Sequence, residues 1–271
     1  ERPNLMLDEN YLTGCIPLVA SEYDLRVSYC LYVPSKIIKV CVYVHGTDRD
    51  VMHYRDHLAD FAERTHTLIV APLFPAGLIE PDDVDNYKFL RFYDLRFDLM
   101  LLNMLDEIGA RYDAPVKQFM LGGFSGGAQF AHRFAYLHPH RVSGVSIAAP
   151  GRITLLDDAM DWWVGTRDLN THFGQAINIE ELRQVPIQLI IGADDDADIT
   201  ANDDIPQARI AGNTRRARLQ TLYENYQQHG LSVQRDIVDD CAHDWLPLAP
   251  QTITFFETFM DAVRKKDDNS C

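Results

Sequence analysis

The sequence predicts an α/β protein whose mainly parallel, eight-stranded sheet is covered by helices on both faces. Apolar, strand-like runs alternate along most of the chain with segments of helical periodicity, an alternation typical of parallel sheets. Several of these runs are apolar throughout, as expected of strands buried on both faces. With 271 residues, of which 46% are hydrophobic and 24% are charged, the chain is long and apolar enough for one such domain over residues 1–271.

The first four predicted strands combine a hairpin with two buried strands. The runs 15–19 and 25–33 flank a short, turn-prone segment, so we expect them to pair antiparallel. The runs 37–44 and 67–72 are largely apolar, which is typical of central parallel strands. A helix is predicted between them over 52–64.

The alternation continues after a loop predicted over 74–88, whose length is typical of functional or mobile loops. Four further strands are predicted over 116–121, 142–149, 186–192 and 231–238. Four further helices are predicted over 89–112, 128–135, 213–228 and 249–264. No internal repeat and no linker divides the chain, so we predict a single domain.

The formal net charge of −15 at pH 7 argues against proteins that bind through a basic surface. Nucleic-acid partners and anionic membranes both require such a surface, so neither is expected. No run is apolar enough to span a bilayer and no signal-peptide pattern is present, although the start at Glu1 leaves a removed leader open. The sequence leaves the oligomeric state open as well, with a homodimer among the states it allows.

Five scattered cysteines argue against two kinds of cysteine chemistry. They are Cys15, Cys30, Cys41, Cys241 and Cys271, and no C-x-x-C spacing occurs, so neither a disulfide framework nor a zinc site is predicted. We therefore expect a reducing, cytoplasmic location. No motif for a metal, a nucleotide or a flavin is present either, so no cofactor is expected.

The stretch around Ser125 matches the G-x-S-x-G pattern of a nucleophile elbow. The pattern describes a sharp turn from a buried strand into a helix, with the serine at its apex. Gly123 and Gly127, two residues to either side, are small enough for the backbone to pass closely. A predicted strand precedes the serine and a predicted helix follows it, which is the context that the motif requires.

A serine hydroxyl needs a base to remove its proton, and the base needs a third group to orient it. Asp195 follows the predicted strand that ends at 192, and His243 follows the last predicted strand. Both would lie at the carboxyl ends of parallel strands, where sites in such sheets collect. The sequence therefore predicts Ser125, Asp195 and His243 as a catalytic triad.

The acid is the least certain member of this triad because several aspartates crowd one loop. The spacing from Gly192 favours Asp195, while Asp194 and Asp196 stay open as alternatives. The same acidic loop suggests a calcium site, but the glycine and glutamate that an EF-hand requires are not in place, so a solvated loop is preferred. His132, on the helix after the elbow, is expected to face a neighbouring element.

Together these pieces resemble the α/β-hydrolase-fold serine hydrolases over nearly the whole chain. The matching pieces are the His45-Gly46-Thr47 segment after the third strand, the elbow, the turn before Asp195, and the segment around His243. Within that superfamily, the chain is most similar to carboxylesterases and polyhydroxybutyrate-depolymerase-like esterases.

The resemblance implies a role for each residue of the site. Ser125 would attack the carbonyl carbon, and His243 would act first as general base and then as general acid. Asp195 would orient the imidazole. The backbone N–H groups of Gly126 and Thr47 would form the oxyanion hole. His45 is expected to support that loop rather than to transfer a proton.

In resembling enzymes a cap over the active site is inserted where this chain has residues 151–185. Trp162 and Trp163 in this segment, with Tyr87 in the long loop, are candidates to line an aromatic pocket for an apolar acyl or alcohol group. The alternative is that the two tryptophans only anchor the segment onto the core.

The leading hypothesis is cofactor-independent hydrolysis of a small-molecule carboxylic ester or lactone through an acyl-enzyme. The same triad serves an amidase, a peptidase or a carbon–carbon bond hydrolase, and the residue types do not separate these cases. A non-catalytic ligand-binding protein on the same fold is the alternative from another class.

Overall fold

The computed structural model describes residues 13–267, with side chains as far as Thr258. Within these residues the chain forms ten strands and eight α-helices. The strands are β1 (Gly14–Ala20), β2 (Ser28–Val33), β3 (Lys39–Val44), β4 (Thr67–Leu73), β5 (Arg91–Phe92), β6 (Leu95–Arg96), β7 (Phe119–Phe124), β8 (Val142–Ala148), β9 (Ile187–Gly192) and β10 (Val233–Val238). The helices are α1 (Val51–His57), α2 (Ala59–Thr65), α3 (Phe97–Tyr112), α4 (Gly126–Leu137), α5 (Leu169–Phe173), α6 (Ile179–Leu182), α7 (Arg215–Gln228) and α8 (Ala249–Asp267).

Eight of these strands form one sheet in the order β1-β2-β4-β3-β7-β8-β9-β10. The strand β2 runs antiparallel to both of its neighbours, and all pairs from β4 to β10 are parallel. The predicted hairpin and the predicted mainly parallel sheet are therefore confirmed. Every residue of β7 and of β9 is buried, and because successive side chains point to opposite faces, both faces of the sheet are covered there.

The parallel order places the carboxyl ends of β3, β7, β9 and β10 at one edge of the sheet. The loops that follow these four strands carry Thr47, Ser125, Asp195 and His243 respectively. Ligand sites of open α/β sheets form at this edge. The topology alone thus gathers residues that are as much as 196 positions apart in the sequence, from 47 to 243.

The predicted helix over 89–112 begins later than expected, at Phe97. The preceding residues form the small antiparallel hairpin of β5 and β6 instead. Leu90 and Tyr93 have φ angles of 67° and 51°, and such left-handed conformations cannot continue a right-handed helix. Leu90 is buried through this turn, while Leu99 on α3 is exposed, so the residues predicted as one helix form two different local structures.

The segment 151–185 contains two short helices, α5 and α6, and is otherwise irregular. Ile153, Leu155 and Leu156 at its start belong to the same hydrophobic core as the sheet. None of the helices in residues 13–267 is long and apolar enough to cross a bilayer.

Candidate active site

Ser125 lies at the sharp turn between β7 and α4. Its φ and ψ angles are 54° and −108°, a backbone conformation that L-residues rarely adopt. A Cβ atom on Gly127 would lie 2.0 Å from the carbonyl oxygen of Val44, and one on Gly123 would lie 2.3 Å from the carbonyl carbon of Gly127. Only glycine fits at these two positions, which explains why the sequence has a glycine two residues before and two residues after Ser125.

Ser125, His243 and Asp195 form one continuous chain of hydrogen bonds. The distance between Ser125 Oγ and His243 Nε2 is 3.1 Å, and the distance between His243 Nδ1 and Asp195 Oδ2 is 2.7 Å. With the imidazole proton on Nδ1, His243 donates to the carboxylate and accepts from the hydroxyl. The ring of Phe124 stacks on that imidazole, with 4.6 Å between ring centroids, and helps to fix its plane.

Of the three crowded aspartates, Asp195 is the one that contacts the histidine. It is 2% exposed, whereas Asp194 and Asp196 are exposed, and Asp196 pairs with Arg216. Burial favours the neutral acid, but His243 and Arg215 outweigh this effect and hold the pKa of Asp195 below its ordinary value. The carboxylate therefore stays ionised at neutral pH. In the part of the chain that the structure describes, no group of three or more His, Cys, Asp or Glu residues is arranged to hold a metal ion.

Thr47 and Gly126 lie next to one another beside Ser125. A Cβ atom on Gly126 would be 3.3 Å from Thr47 Oγ1, and Thr47 and Ser125 line the same cavity. Gly126 is the first residue of α4, so its N–H belongs to the set that has no acceptor within the helix. The structure thus brings together the two residues predicted to form the oxyanion hole.

Two buried side chains hold the loop that carries Thr47. His45 contacts the Gly46 carbonyl oxygen through Nδ1 at 2.6 Å and accepts from the Phe74 N–H through Nε2 at 3.1 Å. Burial lowers the pKa of His45 to about 3, so the ring is neutral, as both contacts require. The hydroxyl of Tyr87 donates to the carbonyl oxygens of His45 and Gly46, each at 3.0 Å.

Solved structures of other proteins share this architecture. Poly(aspartic acid) hydrolase-1 from Sphingomonas sp. KT-1 matches 89% of this chain and 98% of its own, with a TM-score of 0.73 and 21% identity. LpqC, a poly(3-hydroxybutyrate) depolymerase from Bordetella parapertussis, matches 86% and 85%, with a TM-score of 0.68 and 25% identity. An S-formylglutathione hydrolase from Agrobacterium tumefaciens matches 92% of each chain, with a TM-score of 0.54 and 17% identity. No protein-family model and no curated protein matches the chain. The chain has the α/β-hydrolase fold.

In this α/β-hydrolase fold, the three predicted substrate-binding aromatic residues do not line the cavity at Ser125. Tyr87 is fully buried beneath the loop that carries Thr47. Trp163 is 7% exposed and packs against Phe89, with 5.3 Å between ring centroids. Trp162 packs edge-on against Phe173 at 5.0 Å. Their contacts are those of side chains that anchor the segment 151–185 onto its neighbours, which was the alternative interpretation of the two tryptophans.

The cavity that contains Ser125 has a volume of about 370 Å³ and a polar, cationic lining. Four of its lining residues are cations: Lys88, Arg152, Arg215 and Arg218. Sequence reasoning missed all four, because single lysines and arginines, whether in loops or on the helix α7, carry no motif. The α7 residue Arg215 donates to Asp195 Oδ1 at 3.1 Å, so the cationic lining and the triad are in direct contact.

His132 on α4 does not reach this cavity. Its ring contacts the Ala128 carbonyl oxygen through Nδ1 at 2.8 Å and accepts from the Thr154 N–H through Nε2 at 3.1 Å. Burial holds its pKa well below the ordinary value, so the ring is neutral. His132 thus faces a neighbouring element, as expected, and links α4 to the segment 151–185.

Proposed function

We propose that this protein is a serine hydrolase that cleaves a carboxylic ester or lactone through an acyl-enzyme formed on Ser125. The observation that carries the proposal is the hydrogen-bond chain from Ser125 through His243 to Asp195, which opens on a cavity. Similarity in fold to LpqC, which is named a poly(3-hydroxybutyrate) depolymerase, supports chemistry at an ester bond.

The first half of the reaction forms the acyl-enzyme. His243 Nε2 takes the proton of the Ser125 hydroxyl as the oxygen attacks the carbonyl carbon. The oxyanion that forms is stabilised by the N–H groups of Gly126 and Thr47, each worth roughly 3–4 kcal/mol in comparable sites. The imidazolium then gives its proton to the leaving alcohol oxygen, and the ester bond breaks.

The second half regenerates the enzyme. A water molecule loses a proton to His243 and attacks the acyl carbon, and Ser125 leaves with the proton that the imidazolium returns. Asp195 remains ionised throughout and stabilises the imidazolium in both halves. Its contact with Arg215 holds the second carboxylate oxygen and so fixes the direction in which the first one faces His243.

The test is labelling with a fluorophosphonate probe followed by turnover of a panel of esters and lactones. We expect one adduct, on Ser125, and a loss of turnover in Ser125→Ala of about 10⁶-fold, as for the triad serine of another hydrolase. Ser143→Ala, which changes a serine at the amino-terminal end of β8, serves as the matched control and should be labelled normally. An adduct at another residue, or ester turnover that persists in Ser125→Ala, contradicts the proposal.

A further inference from the structure

The cations of the cavity at Ser125 stand out in a chain with a formal net charge of −15. A surface of that charge repels anions as a whole, so four cations around one cavity define a local region of opposite sign. Asp85 is the one carboxylate among the residues that line the cavity. We name Lys88, Arg152, Arg215 and Arg218 the cationic wall.

Two members of the cationic wall are neutralised one to one. Arg215 pairs with Asp195 at 3.1 Å, and Arg218 pairs with Asp203 at 2.6 Å. Arg218 also donates to the carbonyl oxygens of Gly212 and Gly151, so its donors are largely engaged in holding loops together. These two arginines therefore carry little free charge toward a ligand.

Lys88 and Arg152, by contrast, share a single carboxylate. Both form ion pairs with Asp85, one with each of its oxygens, and their side chains are only 5% and 8% exposed. Burial would raise the pKa of Asp85, but Arg152 and Lys88 outweigh it and hold this pKa below the ordinary value. The remaining acidic neighbour, Asp204, lies 3.8 Å from Arg152 and is 54% exposed, so solvent weakens its effect. One positive charge is left over.

A fifth cation, Arg133, adds positive charge next to Lys88 and Arg152. Arg133 is completely buried and bonds to the Thr154 hydroxyl and to carbonyl oxygens, including that of Lys88 at 2.7 Å and that of Arg152 at 3.2 Å. Among the described residues, no carboxylate pairs with it. Burial lowers the pKa of Arg133 to about 9, so it remains charged at neutral pH.

The uncompensated charge lies beside the reacting atoms. A Cβ atom on Gly126 would be 2.8 Å from Lys88 Cε, so the lysine stem passes directly over the residue that follows Ser125. Of the three N–H bonds of the ammonium group, one is used by Asp85, and no other acceptor contacts it among the described residues. A neutral substrate could accept hydrogen bonds from these donors but would leave the excess positive charge uncompensated, which costs free energy in a nearly buried site.

We propose that the substrate carries a carboxylate within a few bonds of its scissile carbonyl, and that Lys88 and Arg152 bind this carboxylate. This inference rests on the proposed hydrolase function and names its substrate class. The excess positive charge of Lys88 and Arg152 over Asp85 matches one carboxylate, and the planar guanidinium of Arg152 matches the fork of carboxylate oxygens. Lys88 and Arg152 are thus specificity-determining residues rather than members of the triad.

The experiment compares matched substrates that differ only in charge. Mono-4-nitrophenyl adipate and its carboxamide analogue test an acyl group that carries the carboxylate, and 4-acetoxybenzoate and 4-acetoxybenzamide test the alcohol side. We expect kcat/KM to favour the carboxylate in at least one pair by about tenfold or more, because hydrogen bonds to charged groups are the strong ones. Lys88→Met and Arg152→Met should each bring the ratio within that pair close to one.

The control variant is Arg64→Met, which removes an exposed arginine that pairs with Glu257 on α8 and should keep the wild-type ratio. Asp85→Asn tests the charge balance in the opposite direction. Removing the carboxylate that Lys88 and Arg152 share should raise the ratio of kcat/KM for the carboxylate to kcat/KM for the carboxamide. A ratio of one or less in both pairs, or a ratio that Lys88→Met and Arg152→Met leave unchanged, overturns the inference.

A binding measurement separates this inference from the proposed function. In Ser125→Ala, calorimetric titration should show that the carboxylate member of the preferred pair binds more tightly than the carboxamide. Adding Lys88→Met should remove the difference, with circular dichroism used to check folding. Equal affinities overturn the carboxylate inference even if both esters are hydrolysed at Ser125. A charge-dependent affinity without any Ser125-dependent turnover supports it and contradicts the hydrolase function instead.

Discussion

The cavity at Ser125 is lined by two residues fixed at strand ends, Thr47 and Ser125, and by charged side chains from loops and from the start of α7. We call Thr47 and Ser125, with their neighbours Gly126, Asp195 and His243, the catalytic wall. Its one carboxylate is the buried side chain of Asp195, which contacts His243. The cationic wall holds four positive side chains, and their closest carboxylate partners are Asp85, Asp195 and Asp203.

The difference separates the chemical step from the choice of substrate. The catalytic wall depends on backbone geometry, which only a few residue types permit, so a change there affects the reaction itself. The cationic wall depends on long side chains whose identity sets a charge balance, so a change there affects which substrate is accepted. Arg215 belongs to the cationic wall but contacts Asp195, and it is the point where the two walls meet.

The largest effect that tests this division is expected for Asp195→Asn. The amide cannot stabilise the imidazolium and favours the wrong tautomer of His243, so kcat should fall about 10⁴-fold, which is about 5.5 kcal/mol. Asp196→Asn is the matched control, because Asp196 lies next in sequence but is exposed and bonds to Arg216. Steady-state kinetics on one neutral ester would measure both. A similar loss in the two variants would mean that the acidic loop acts as a unit and not through one residue.

The second effect concerns the support of the cationic wall. Trp163 packs against Phe89 and lies below the guanidinium groups of Arg133 and Arg152. Trp163→Ala should therefore lower the free energy of unfolding by about 3–5 kcal/mol, the usual cost of truncating a buried aromatic side chain. Urea denaturation measures this, and Leu25→Ala, which changes a side chain that is 79% exposed, should cost less than about 0.5 kcal/mol. Unchanged stability combined with a raised KM would restore the aromatic-pocket role.

The two walls also differ in how far the sequence predicted them. The catalytic wall could be predicted because steric demands leave a trace: Gly123 and Gly127 are required by close backbone contacts, and the strand order places Asp195 and His243 at one edge. No comparable sequence pattern predicts the cationic wall. Lys88 and Arg152 are 64 positions apart in irregular segments, and their joint charge balance arises only through Asp85 in the folded chain. The late start of α3 was missed because a left-handed conformation at a residue other than glycine has no reliable pattern in the sequence.

The third effect tests whether two buried histidines are held neutral: His45, beside the catalytic wall, and His132 on α4. His45 has its pKa lowered from 6.5 to about 3, so the unfolded chain binds a proton in this window while the folded chain does not. Stability contributed by this group is therefore complete above pH 6.5 and is lost as the pH falls toward 3, by up to about 1.4 kcal/mol per pH unit. His132 has a pKa lowered in the same direction.

Denaturation between pH 6.5 and 5, above the range of ordinary carboxyl groups, measures this dependence. His132→Gln should reduce the slope of the unfolding free energy against pH by the amount that corresponds to about one bound proton. His140→Gln, at a side chain that is 61% exposed, should leave this slope unchanged. Equal slopes in wild type and His132→Gln would show that the ring is not held neutral.

The smallest effect is expected for Tyr87→Phe, and it distinguishes the two walls most directly. The change removes the hydroxyl that donates to the carbonyl oxygens of His45 and Gly46 but keeps the ring in place. A less firmly held oxyanion loop should lower kcat by about tenfold, the equivalent of one buried hydrogen bond.

Tyr226→Phe also removes a buried hydroxyl, one that bonds to Tyr136, and should leave kcat within about twofold. The ratio of carboxylate to carboxamide turnover should stay at its wild-type value in both variants, because the two hydroxyls bond to His45, Gly46 and Tyr136 and not to Lys88 or Arg152. If Tyr87→Phe instead changed that ratio and left kcat unaltered, Tyr87 would act in substrate recognition, and the separation of chemistry from selectivity would fail at this residue.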